Sequence, residues 1–283
     1  MGLEVVHDRR IPARYLATGD AIVTATNPLP ILPYGNSQDQ IRIGNVTGVG
    51  GWTKFGFRSG LTAASGEQTV WDTTGNFTPQ SSAETWDITY NSSTDGAGTT
   101  GATVLAVYYV DSTGEHTIAV HTLGSDGSDT TSFSGFGINR IAVSSSGTAD
   151  TNTNDITFAG TTSGNTSAVV SAGTGVTQQA IFTVGSNHDA IARFLYMHIN
   201  KPGGGDAKVA IRGYVYNRSP ADTVYEIFRT TIDTSSETTE TINEPIGFNL
   251  SPTDVLYFVA DTDTNSAEVV LRFSLNLYDR DYW

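Results

Sequence analysis

The residues of this chain able to do chemistry are five histidines, twenty-nine acids and a small set of cations. The histidines are His7, His116, His121, His188 and His198. His116 and His121 are five apart, so on a straight strand they face opposite ways. No pair has the spacing of a zinc helix such as His-x-x-x-His. They read as ordinary surface or packed histidines. The acidic stretch DTDTNSAE places Asp261, Asp263, Asn265 and Glu268 where oxygen ligands for Ca²⁺ would lie. The EF-hand pattern fails there, because Ser266 stands where Gly is needed and Arg272 where the closing Glu is needed. Asp and Asn also close turns by bonding their own backbone, which is the reading adopted here, and SDGSD at 125–129 is read the same way. There is no Gly-x-Ser-x-Gly elbow, no phosphate-binding Walker loop and no Gly-x-Gly-x-x-Gly after a strand. The expectation is a protein that is not an enzyme and uses no cofactor and no metal.

The cations are more informative. GGWTKFGFRSG, residues 50–60, carries Lys54 and Arg58 among Trp52, Phe55, Phe57 and glycines, and no Lys or Arg follows until Arg140. The formal charge of the whole chain is −14. Up to Gly60 the cations Arg9, Arg10, Arg14, Arg42, Lys54 and Arg58 outnumber Glu4, Asp8, Asp20 and Asp39, so the remainder holds nearly all of the acid. Such an asymmetry marks a leader with its own partner. The acidic balance argues against nucleic acid as that partner, since a nucleic-acid binder shows a basic face. A membrane is not expected either: no apolar run nears the ~20 residues of a spanning helix. The start, MGLEVVHDRRIPARYL, lacks the apolar core of a secretory signal. With no cysteine, disulfides and thiolate sites are excluded within this sequence.

The elements that must position these residues are strands. Thr, Ser, Gly, Asn and Asp are abundant, and apolar residues fall in short bursts. TVLAVYYV (103–110) and HTIAVHTL (116–123), joined by DSTGE, read as a hairpin. TVWD (69–72), ETWDITY (84–90), INRIAV (138–143) and DITFAG (155–160) are further bursts. Beyond them come QAIFTV (179–184), AIARFLYMHIN (190–200), AKVAIRGYVYN (207–217), TVYEIFRTTI (223–232), DVLYFVA (254–260) and AEVVLRFSLNLYD (267–279). The last alternates strictly, with Val269, Leu271, Phe273, Leu275 and Leu277 on one side. NKPGGGD (200–206) reads as the turn of another hairpin. Tyr214 and Tyr216 share a side of their strand and are candidates for an exposed patch, a subunit contact or a sugar platform, with packing or an interface preferred.

The resulting fold class is all-β. Two antiparallel β-sandwiches of jelly-roll type, 63–162 and 163–283, follow an extended arm and strap at 1–62. Pro28, Pro30 and Pro33 rule out a helix or a central strand in TNPLPILPYGN, and Ile31, Leu32 and Tyr34 give that segment an apolar side. In this reading Trp52, Phe55 and Phe57 of the strap are buried, and Lys54 and Arg58 face acids of the same body or of a neighbour.

Residues 44–160 resemble a family of virion structural proteins of tailed bacteriophages, especially marine ones, and of some large algal viruses. The resemblance lies in GNVTGVGGWTKFGFRSGL, TVWDTTGNF, ETWDITYNSSTDGAGTTGATVLAVYYVDSTGEHTIAVHTL and INRIAV. The family has Leu-Asp at the bend of its hairpin, where this chain has Val110-Asp111. The resemblance implies a non-enzymatic component located in the virion. Its partners would be capsid, portal, neck or tail proteins and further copies of itself, trimers being common. It would act as decoration, fibre or cement, with Arg9, Arg10, Arg14, Ile31, Leu32, Tyr34, Trp52, Lys54, Phe55, Phe57 and Arg58 as docking residues. The alternatives are a receptor- or glycan-binding tail module and a capsid-forming double jelly roll.

Overall fold

The computed structural model describes residues 46–218, 222–236, 238–242, 248–264 and 266–282. Among them the chain is all-β, with antiparallel pairing throughout and only two single-turn 3₁₀ segments, at 63–65 and 280–282. Arg9, Arg10, Arg14, Ile31, Leu32 and Tyr34 lie outside the described residues.

One sandwich is formed by a sheet of β6 (Ser128–Thr130), β3 (Trp86–Thr89), β8 (Ile156–Gly160) and β9 (Thr166–Val170), facing a sheet of β5 (His116–Thr122), β4 (Ala102–Asp111) and β7 (Gly135–Ser146). Its core mixes both sheets: Trp86, Ile88, Ile156 and Phe158 from the first pack with Leu105, Val107, Ile138 and Ile141 from the second. The Trp86 indole N–H donates to Ser167 Oγ at 3.1 Å, so the one polar atom of a fully buried ring has its partner.

The other sandwich uses strands from both ends of the chain. Its first sheet runs β1 (Val49–Leu61), β17 (Ala267–Asp279), β11 (His188–Asn200), β14 (Thr239–Ile242), with β15 (Asn249–Leu250) also on β11. Its second sheet runs β10 (Ile181–Thr183), β16 (Val255–Thr262), β12 (Lys208–Asn217), β13 (Thr223–Asp233), with β2 (Gln68–Thr69) also on β16. The alternating residues Val269, Leu271, Phe273, Leu275 and Leu277 all enter this core.

Two local expectations differ from what is seen. β11 and β12 flank NKPGGGD but belong to opposite sheets, so this is a crossover and not a hairpin. Gly203, Gly204 and Gly205 all have positive φ, which lets the chain swing from one layer to the other. TVWD contributes only the end of a two-residue strand, because Trp71 turns into a small core with Phe77, Ile181, Tyr216, Val255 and Tyr257, its N–H donating to Gly75 O at 3.1 Å.

Candidate functional site

The strand β1 carries the cation–aromatic stretch, and its alternation divides those residues between two faces. Trp52, Lys54, Gly56 and Arg58 point inward. Thr53, Phe55 and Phe57 point outward, and Phe55 is 42% exposed. Trp52 therefore packs as expected above, while Phe55 and Phe57, also expected to be buried, face outward. The cause is the period of two: Trp52 must enter the core, and every second residue follows it.

Inward, β1 forms a seam between the two sandwiches. The Trp52 ring meets Phe182 of its own sandwich at 5.5 Å between centroids, and Tyr108 and His116 of the other at 6.2 and 6.1 Å. Lys54 is buried and its ammonium donates to the backbone oxygen of Asn139 on β7. Burial, and then the nearby Arg140 charge, bring the Lys54 amine down to about 7. Arg58 donates to Gln68 Oε1, and its Nε is buried with no partner. Burial lowers the Arg58 guanidinium, against the pull of Asp72. Thus both cations take neutral oxygens as hydrogen-bond acceptors, not the acids that the sequence suggested. A cleft of ≈ 460 Å³ opens beside Lys54, lined also by Trp52, Phe55, Arg140, Thr177 and their neighbours.

The same seam is stitched from the other side. The Asn139 side chain donates to Thr183 O at 2.9 Å and accepts from Thr183 N–H at 2.7 Å, so a β7 residue completes the β10 backbone. Gln179 Nε2 donates to Ile138 O at 2.8 Å. Arg218 gives its guanidinium to three carbonyls: Gln80 at 2.9 Å, Thr253 at 3.1 Å and Phe136 at 3.2 Å. It also lies 4.6 Å from the centre of the Phe136 ring. His116 Nε2 accepts from Gly185 N–H at 3.1 Å, and its ring lies 5.2 Å from that of His188. Burial, then the His188 charge, lower the His116 imidazole to about 4, so it is neutral at pH 7. Gly137 is required here, because a Cβ on it would stand 2.3 Å from Thr183 Oγ1.

Outward, the register of β1, β17 and β11 lays three rows across one sheet. Phe57, Val270 and His198 form one row, Phe55, Arg272 and Tyr196 the next, and Thr53, Ser274 and Phe194 the third. The rows hold four aromatic rings, one arginine, one histidine and no carboxylate. This face collects the two docking residues Phe55 and Phe57, while Trp52 and Lys54 are consumed by the seam and Arg58 by the interior of its own sandwich.

Other residues with chemical potential are also used in packing. Tyr214 stacks on Tyr257 at 5.7 Å, and the buried Tyr216 donates to Asp222 Oδ1 at 2.6 Å, so the two do not form an exposed platform. Asp263 accepts from Lys208 N–H at 2.9 Å, and Glu268 accepts from Asn200 at 2.8 Å. Sequence patterns gave no sign of Glu84 and Asp95. Burial pushes Glu84 up, but bonds from Gln80, Ser163 and the 162 and 163 amides outweigh it and hold the carboxyl low. Asp95, fully buried, accepts from the amides of Ala102, Thr153 and Asn154 and ties two loops together.

The fold and seam define an all-antiparallel protein of two joined β-sandwiches. No model of a protein family matches the chain, and no curated protein sequence matches it. Among solved structures it is weakly similar to a carbohydrate-binding module of the β-sandwich superfamily, at 12% identity and a TM-score of 0.19, over 76% of this chain and 96% of that one. A triple jelly-roll protein from the turret assembly of an archaeal virus is similar at 9% identity and a TM-score of 0.20, over 79% and 60%. The VP2 subviral particle of infectious bursal disease virus is similar at 12% identity and a TM-score of 0.20, over 81% and 76%. No residue role is carried over from any of them.

Proposed function

We propose that this chain is a non-enzymatic structural protein of a tailed-bacteriophage particle, docked on the capsid or neck and displaying its β body outward. The observation that carries the reading is how the stretch resembling virion proteins is used. Trp52, Lys54, Arg58, Trp71 and Trp86 are all spent on cores and on the seam, which supports a structural use of the segment in a two-sandwich body. What it leaves outside is Phe55 and Phe57, in rows that hold no carboxylate, in a chain of charge −14. Aromatic residues with arginine and few acids are the composition of a protein–protein contact. Residues 1–62 act as the attachment region, the basic leader anchoring the acidic body.

The test is incorporation. Particles are assembled with the full chain, with the chain lacking residues 1–45, and with Phe55→Glu, and copy number is measured by quantitative mass spectrometry. The proposal expects normal copy number for the first and a clear loss for each of the others. Normal copy number in both variants overturns it.

A further inference from the structure

Among the described residues, no strand covers the open side of the edge strand β5. Among the described residues it pairs only with β4, without a bulge, and its sequence HTIAVHT holds no Lys, Arg, Asp, Glu or Pro. Natural edges are normally blunted by one of those devices. Its outward side chains Ile118 and Val120 are 59% and 67% exposed, the most exposed large apolar residues among those described. The free backbone groups can be assigned. Asp111 N–H donates to Glu115 O and Leu123 N–H to Thr103 O, which makes the odd residues of β5 the ones bonded to β4. The N–H and C=O of Ile118 and Val120 therefore face the open side.

We propose that this edge pairs with the same edge of a second copy, antiparallel, about a two-fold axis at Ala119. The strand is nearly its own reverse. Rotation about Ala119 sets Ile118 opposite Val120 and Thr117 opposite His121. It also sets residues with outward backbone groups opposite one another, 118 with 120 and 116 with 122, as an antiparallel hydrogen-bonded ladder requires. A shift by one residue would pair inward with outward groups and make no bonds.

A like partner can meet this edge without charge repulsion at the contact. Two copies at −14 each repel over most of their surface. The outer face of this sheet, with Val104, Ala106, Tyr108, Ile118 and Val120, carries Arg140 and no carboxylate. In the joined sheet the two Arg140 residues lie five strand spacings apart, roughly 24 Å, well beyond the screening length of about 8 Å at physiological salt. Isologous pairing of this kind closes on itself as a dimer. The inference stands on the strand itself and does not depend on the protein's place in a particle.

Sedimentation equilibrium of the full chain over a concentration series tests it, together with single-cysteine cross-linking, which the absence of native cysteine makes clean. The wild type is expected to reach twice the chain mass of 30.1 kDa, and Val120→Lys to stay at 30.1 kDa with an unchanged far-ultraviolet circular dichroism spectrum. Under mild oxidation Ala119→Cys should cross-link, since the central pair brings its Cα atoms to about 4.5 Å, within disulfide range. Thr122→Cys should not, because it faces residue 116. A wild type that stays at one chain mass throughout overturns the proposal. So does a dimer that Val120→Lys leaves intact, or equal cross-linking at both positions.

Discussion

Lys54 donates to the main-chain oxygen of Asn139, 85 positions further along the chain, and both residues are buried. An ammonium group sealed against a neutral acceptor is costly to keep charged. It joins the edge strand of one sandwich to β7 of the other, so the cost is taken where the two bodies meet.

The pH dependence of stability should report this lysine. Its amine is near 7 in the folded chain and 10.5 when free. Between those values the unfolded state holds more protons, so stability rises as pH climbs from about 7 toward 10.5. Below 7 both states are protonated and the penalty is constant. Lys54→Met should raise the unfolding temperature at pH 7 and flatten its rise between pH 7 and 9.5. Parallel curves for variant and wild type would contradict the burial of a charged group here.

His116 should act in the acidic range. Its imidazole is near 4 when folded and 6.5 when free, so stability is lost as pH falls from about 6.5 to about 4. Replacement by Gln keeps an acceptor for the Gly185 N–H and removes the titration. His116→Gln should shift the acid-unfolding midpoint to lower pH, read by tryptophan fluorescence. An unchanged midpoint would show that another group sets it.

Arg218 should hold the bodies in one cooperative unit. It joins the carbonyls of Phe136 and Gln80 to that of Thr253. Arg218→Ala takes a donor from three part-buried carbonyls, a loss of at most about 1–3 kcal/mol for each group left unsatisfied. Calorimetry should show one transition for wild type and two for Arg218→Ala combined with Asn139→Ala. A single transition in the double variant would mean that the seam is held elsewhere.

Two glycines of the same strand should respond differently. A Cβ on Gly56 would lie 2.6 Å from Ala180 Cβ and 2.8 Å from Val70 O, whereas one on Gly50 meets nothing within 4 Å. Gly56→Ala should destabilise by about 1–3 kcal/mol through overpacking, and Gly50→Ala by well under that, in denaturant titrations. Equal effects would place β1 further from residues 70 and 180 than described.

Much of the fold was legible because it is local. The 103–123 hairpin announces itself by two β-branched bursts and a turn, and β17 by unbroken alternation. The seam was not legible. β1 pairs with β17 across more than 200 positions, and no pattern in GGWTKFGFRSG says which side faces in. From sequence the strap is expected to bury Trp52, Phe55 and Phe57 and to set Lys54 and Arg58 against acids, whereas the anchor Trp52 turns Phe55 outward and Lys54 inward. Glu84 and Asp95 were invisible for a related reason. Their partners are backbone amides, and amides carry no sequence signature.

The most direct test of the account is an image of the intact particle with this protein marked by a site-specific gold label. The account predicts label at fixed, symmetric positions on the outside of the head or neck. Particles free of label, while the lysate that produced them holds the labelled protein, would contradict it.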